Sequence, residues 1–219
     1  MIRDITEMFN RHLFNIILIN LVLVMPFTFF IFSAIAYFGG IETIQLNNLI
    51  IVFLIIFNFT ALFPPFFYMA KNDLSDTSYK LLDLLKVFFE KFGYIGFFTI
   101  ALFLLGMFGS ILLFIPTVLA TAAILLIPLY SDEKSIRKAL NGVWKVLKEE
   151  HIFILLDVMI IAALNLLVWS GSLYLLADFE NNSFVYIIVR VLLNAFLFPL
   201  IFFYLTIKYR KDLGAGYGE

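Results

Sequence analysis

The feature that most constrains this chain is a series of apolar runs, each close to the length needed to cross a bilayer. A membrane-spanning helix needs about 20 mostly apolar residues. We predict six spans, over residues 13–38, 46–70, 93–113, 115–131, 152–177 and 184–207. Only Phe114 to Pro116 separates the third from the fourth, so these are either two full spans with a tight outer turn or a pair that does not fully cross. We favour two full spans.

The composition supports a membrane class and excludes several others. Hydrophobic residues make up 63% of the chain and charged residues 14%, against about 45–50% and about 25% in soluble domains. We therefore expect an all-α, polytopic membrane protein formed by one integral membrane domain over residues 1–219. The net charge of −1 gives no attraction to nucleic acid, so we expect no nucleic-acid partner. The N-terminal stretch has no small-residue cleavage site, so we expect the first apolar segment to be retained.

The distribution of Lys and Arg predicts the orientation of the spans. All of these residues except Arg190 precede the first span, follow the last, or lie in the two long connections 71–92 and 132–150. Positive charge concentrates in cytoplasmic loops. We therefore predict a cell-membrane protein with both termini cytoplasmic and three helical hairpins that extend outward.

Both long cytoplasmic connections carry helical periodicity. We predict amphipathic interfacial helices over about 75–92 and 132–150, the second with Ser131 as its N-cap. In the second helix the apolar stripe is Ile136, Leu140, Val143, Trp144 and Leu147, and the polar face includes Lys134 and Lys148. The candidate contacts to a partner or to lipid are Arg137, Lys138, Trp144 and Lys145.

The prolines follow a repeated pattern. The even-numbered spans end in FPPFFYMAK, IPLYSDEK and FPLIFFYLTIK, each with Pro, Tyr and Lys in that order. These prolines lie toward the inner ends of their helices, where water and neighbouring helices satisfy the freed carbonyls. The pattern is consistent with duplication or triplication of a hairpin plus interfacial helix, and also with convergence of segments in similar solvent.

Polar residues inside the spans are the remaining candidates. Asp157 and Arg190 are the charged ones, and their predicted depths do not favour a direct salt bridge. We expect Arg190 to snorkel toward Asp178 or Glu180, and Asp157 to pair with the basic interfacial helix, His12 or His151. Contact with an ion or substrate is the alternative. Midplane amides, which either pack helices together or line a path, are Asn58, Asn165 and Asn194.

No pattern in the sequence predicts catalysis. The chain has no cysteine, and its two histidines have no carboxylate cluster with metal-ligand spacing. The glycine-rich segment 214–218 has no strand or helix to frame a phosphate loop. We expect no enzyme, no metal and no cofactor.

The segment from Leu104 to about Leu167 resembles the YciC-like and glycerophosphodiester-phosphodiesterase membrane-domain type of six-span proteins. The likeness consists of Ile115-Pro116, Pro128, Asp132-Glu133, Ala139-Leu140 and Trp144, and it departs from that group at Thr117 and Val143. The resemblance implies an integral membrane domain with interfacial helices and no settled activity.

We expect a scaffold, assembly factor or accessory subunit that contacts lipid and either a membrane-protein partner or further copies of itself. The alternative is a small oligomeric transporter.

Overall fold

The fold is all-α throughout the part of the chain that the structure describes. The structure, a computed structural model, describes residues 1–40, 47–109, 115–133, 135–176, 182–210 and 213. In these residues α1 is Ile2–Arg11, α2 Leu13–Ile19, α3 Met25–Gly39, α4 Asn47–Leu74, α5 Leu81–Gly109, α6 Ile115–Leu126, α7 Ile136–Glu149, α8 His151–Leu175 and α9 Ser183–Tyr209. A π-helical turn, Asn20–Val24, joins α2 to α3, and a 3-10 turn, Ile127–Tyr130, follows α6.

Five helical stretches of the described chain are long and apolar enough to cross a membrane. They are Leu13–Gly39, which runs through the π-helical turn, Asn47–Leu74, Leu81–Gly109, His151–Leu175 and Ser183–Tyr209. Five of the predicted spans thus correspond to helices of spanning length. The fourth predicted span, 115–131, is a shorter apolar stretch, Pro116–Tyr130, that combines most of α6 with the 3-10 turn. The six-span arrangement therefore stays a prediction.

The interfacial helix predicted over 75–92 does not form a separate element. Its amphipathic residues are the first turns of α5, which continues without a break into the apolar stretch that follows. Residues 75–80 instead reverse the chain after α4. Asp76 adopts a left-handed φ of 47°, while the amides of Asp76 and Thr77 donate to the carbonyls of Asp73 and Asn72, as in a Schellman motif. Asp83 then accepts from the Lys80 amide at 2.9 Å and caps the start of α5.

The residues of the second predicted interfacial helix do form a helix, but it starts later than expected. It is α7, Ile136–Glu149, with Ser135 rather than Ser131 at its N-cap position. Ser131 lies in a turn after the 3-10 helix. The predicted N-cap was wrong because Asp132 is used in ion pairs with other helices, which hold residues 131–133 out of the helix.

The N-terminal helix α1 was not predicted. Its sequence carries apolar residues at helical spacing, and Met8 is buried while Ile5 and Phe9 are half-buried against the core. The Phe9 ring meets the Phe196 ring edge-on at 6.4 Å. The segment is only 10 residues long, and charged residues of both signs lie between its apolar residues. Tertiary packing against α9 stabilises it.

The core of the bundle lies between α4 and α9 and is built from aromatic rings. Phe59 and Phe63 contact Phe202 with centroid separations of 4.8 and 4.4 Å. Pro64 and Pro65 lie inside α4, where both are buried. Each proline removes one backbone donor. The residues whose carbonyls lose that donor, four positions earlier in α4, are also buried.

Candidate functional site

The basic face predicted on α7 is exposed. Arg137, Lys138 and Lys145 are all solvent-accessible, and Trp144 keeps 63% of its surface exposed. The predicted apolar stripe divides in two. Val143 and Leu147 turn toward the bundle together with Ala139, whereas the outward-facing members are Ile136, Leu140 and Trp144. Lys134 lies outside the described residues.

A glycine holds α7 close to the rest of the bundle. A Cβ at Gly142 would overlap the ring of Tyr130, the last residue of the 3-10 turn. Only glycine permits this approach without displacing the ring. The helix α7 is thus held against the 3-10 turn, and its basic face points away from the bundle.

Asp157 is paired, but with different residues than predicted. Its carboxylate accepts from Lys208 Nζ at 2.8 and 2.9 Å, from the Tyr204 hydroxyl at 2.7 Å and from the Tyr209 hydroxyl at 2.6 Å. The predicted partners on α7, or His12 or His151, make no such contact among the described residues. Asp157 therefore joins the start of α8 to the end of α9 and has its charge matched there.

Asp132 forms a second ion-pair cluster between elements far apart in sequence. It accepts from Lys71 Nζ at 2.6 Å and from Arg210 Nη1 at 2.9 Å. Arg210 also donates to the Leu129 carbonyl and lies over the rings of Phe67 and Tyr130. Burial tends to raise the pKa of Asp132, but the hydrogen bonds from Arg210 and Lys71 outweigh it and the pKa is lowered.

A third cluster surrounds His12 and was not predicted as a unit. His12 Nε2 lies 2.8 Å from Asp73 Oδ1, and His12 Nδ1 lies 2.7 Å from the Tyr79 hydroxyl. Arg11 Nη2 donates to the same carboxylate at 2.6 Å, and this bond raises the pKa of Arg11. Burial raises the pKa of Tyr79, so its hydroxyl stays protonated.

Together these clusters tie the helix ends into one polar layer. They link the ends of α4 and α9, the starts of α2 and α8 and the turns after α4 and after the 3-10 helix. Since all of these segments meet, they lie at the same end of the bundle. In the described residues no group of three or more His, Cys, Asp or Glu is placed to hold a metal ion. The chemistry of the clusters is charge pairing between helices.

The asparagines inside the bundle have different environments. Asn58 Oδ1 accepts from the Thr28 hydroxyl at 3.3 Å, which joins α3 to α4. Asn165 Oδ1 accepts from Arg190 Nη2 at 2.7 Å, which joins α8 to α9. Asn194 is buried, and its Nδ2 has no hydrogen-bond partner. Asn58 has a packing contact, whereas Asn194 has an unused donor.

Arg190 is the least satisfied charge in the described chain. It is 3% exposed, it lies 5.3 Å from the centroid of the Phe32 ring, and its Nε and Nη1 have no partner. No described carboxylate forms an ion pair with it, and the predicted partners Asp178 and Glu180 lie outside the described residues. Sequence analysis did not foresee the bond to Asn165, although both residues were singled out as intramembrane polar groups.

An apolar groove lies beside these residues. It has a volume of about 390 Å³ and runs between α4, α6 and α8. Asn165, Phe59 and Ile161 line this groove and also line a much smaller space, of about 20 Å³, in which Arg190 and Asn194 lie. The groove is therefore adjacent to the unpaired donors.

Comparison of the chain with protein-family models, with curated proteins and with solved structures finds no match. The functional argument therefore depends on the geometry described above.

Proposed function

We propose that this protein is a multi-pass cell-membrane protein with six spans and both termini cytoplasmic, and that it works as a scaffold, assembly factor or accessory subunit of a membrane complex. The polar layer supports this orientation, since it collects Arg11, Lys71, Lys208 and Arg210 at one end of the bundle. Cysteines introduced at Asn47 and Asn182 should react with an impermeant reagent from outside the cell. Cysteines at Ser78 and Ser135 should not.

One observation supports the accessory role. The helix α7, with its exposed basic face, leads directly into α8, and few residues of α8 are buried in the bundle. Over an apolar stretch of 18 residues, α8 has 11% of its residues buried, against 44% for α4. Glu150 alone separates α7 from α8. A partner with an acidic cytoplasmic segment and a membrane-spanning helix would contact both surfaces at once. Lipid would cover α8, whereas such a partner would in addition pair specifically with the exposed basic residues on α7.

The test reverses charge on α7 and looks for loss of a partner. Lys138→Glu combined with Lys145→Glu should abolish co-purification of a membrane-protein partner in mild detergent, with the fold intact. Lys80→Glu combined with Lys86→Glu is the matched control, because it makes the same charge change at exposed lysines around the start of α5. Equal recovery of partners from both variants would contradict the docking role.

A second function, transport by a small oligomer, is favoured by the groove of about 390 Å³ next to Asn165. In that case replacing Asn165 or Asn194 with Leu should abolish transport, while the α7 variant should retain it. The two proposals therefore make opposite predictions for the same pair of variants.

A further inference from the structure

The structure assigns a binding site for a long-chain carboxylate, of the fatty-acid class, to the groove between α4, α6 and α8 and the adjoining space at Arg190 and Asn194. This inference goes beyond the proposed docking role and is independent of it, since it concerns the membrane interior rather than α7.

The charge of the site determines the charge of the ligand that it would bind. Arg190 stays protonated, and burying an uncompensated charge is costly. Its Nε and Nη1 and the Nδ2 of Asn194, one turn along α9, are buried donors without an acceptor. Buried polar groups are almost always hydrogen-bonded. Every unused group is a donor, and one of them carries a buried positive charge, so an anionic acceptor would satisfy both the hydrogen bonds and the charge, whereas a cation would satisfy neither.

The size of the polar space limits the headgroup. At about 20 Å³ it holds little more than a water molecule. A carboxylate is flat and has two acceptor oxygens, so it needs little rearrangement to enter. A phosphate diester with its glycerol is much larger and would require the helices to separate.

The groove defines the rest of the ligand. Its volume of about 390 Å³ falls within the range of about 300–1,000 Å³ that is usual for ligand pockets. The hydroxyls of Thr60 and Thr121 in its wall are already bonded to backbone carbonyls of their own helices. Val52 and Leu166 at its edge are exposed, so the groove is open to the surrounding lipid. It therefore accepts an alkyl chain from the bilayer.

The experiment measures equilibrium binding of radiolabelled hexadecanoate to the full-length protein in detergent micelles. Hexadecan-1-ol serves as the uncharged probe with the same chain, and acetate as the headgroup without a chain. Because hydrogen bonds to a charged group are strong, hexadecanoate should bind roughly ten- to hundred-fold more tightly than the alcohol. Equal binding of acid and alcohol, or binding of acetate as tight as that of hexadecanoate, would overturn the proposal.

Variants locate the site. Arg190→Gln should weaken hexadecanoate binding roughly ten- to hundred-fold. Leu192→Gln on the lipid-facing side of the same helix is the matched control and should not weaken it. If Arg190→Gln does not fold, Ala162→Trp decides, because Ala162 lines the groove but not the polar space at Arg190. Binding that survives in folded Ala162→Trp, or displacement of hexadecanoate by a lower concentration of phosphatidylglycerol, would contradict a carboxylate site.

Discussion

Two arginines of equal burial show how differently this bundle treats charge. Arg190 and Arg210 are each 3% exposed. Arg190 lies within α9, and Arg210 directly follows that helix. Arg210 has the Asp132 carboxylate, the Leu129 carbonyl and two aromatic rings. Arg190 has one amide oxygen and one ring. The difference indicates that Arg210 is a structural residue, whereas Arg190 is retained at a cost in stability.

The largest expected effect comes from Arg210→Met. The substitution removes the bonds to Asp132 and Leu129 and leaves a half-buried carboxylate with Lys71 as its remaining cation. We expect a loss of about 3 kcal/mol, which for a chain of this size is roughly 6–12 °C in Tm. Thermal unfolding in detergent, followed by size-exclusion chromatography, measures it. An unchanged Tm would show that the ion pairs at this end are dispensable.

Lowering the pH tests whether the loss of stability in Arg210→Met comes from the ion pair with Asp132. The folded-state pKa of Asp132 is lowered below its ordinary value of 3.8, so its contribution to stability is fully present above that pH and is lost as the pH falls through the folded pKa. The Tm difference between wild type and Arg210→Met should therefore shrink as the pH is brought below about 4. A difference that stays constant over this range would assign the effect to packing against Phe67 and Tyr130 instead.

The same substitution at Arg190 should change the stability in the opposite direction. Arg190→Met removes one hydrogen bond and one ring contact, but it also removes a buried charge that has no described carboxylate beside it. Replacing buried charge with an apolar residue of similar volume is often neutral or stabilising. We expect a gain of about 1 kcal/mol, seen as a higher Tm, together with weaker hexadecanoate binding. A loss comparable to that of Arg210→Met would show that Arg190 is structural.

The sequence predicted the long helices well because apolar length is a local property. It predicted the polar contacts poorly because these join residues that are far apart in the chain. Asp157 and Lys208 are 51 residues apart, and His12 and Asp73 are 61 apart. The distribution of Lys and Arg predicted that the segments carrying these residues lie at one end of the spans. It could not say which helix ends are neighbours, and for this reason the partners predicted for Asp157 were wrong.

The error over residues 75–92 has a different cause. Amphipathic periodicity predicts an interfacial helix over 75–92, and apolar length predicts a separate span over 93–113. Nothing in the sequence, however, forces a break between the two. Gly93 and Gly96 weaken a helix only by about 1 kcal/mol each, and packing of α5 against α4 outweighs that cost. A change in the solvent around a helix is therefore not a boundary of the helix.

The smallest expected effect is on stability, in a comparison of two buried asparagines. As with the two arginines, one is paired and the other has an unused donor. Asn58 is 1% exposed and accepts from Thr28, whereas Asn194 is 3% exposed with an unpartnered Nδ2. Asn58→Leu should cost about 0.6 kcal/mol, the average value of such a bond between membrane helices. Asn194→Leu should cost less or nothing, since its donor is unused, yet it alone should weaken hexadecanoate binding. Thermal unfolding and equilibrium binding of both variants measure this pair. If Asn58→Leu lost the ligand and Asn194→Leu kept it, the unpaired donors of α9 would have no role in recognition.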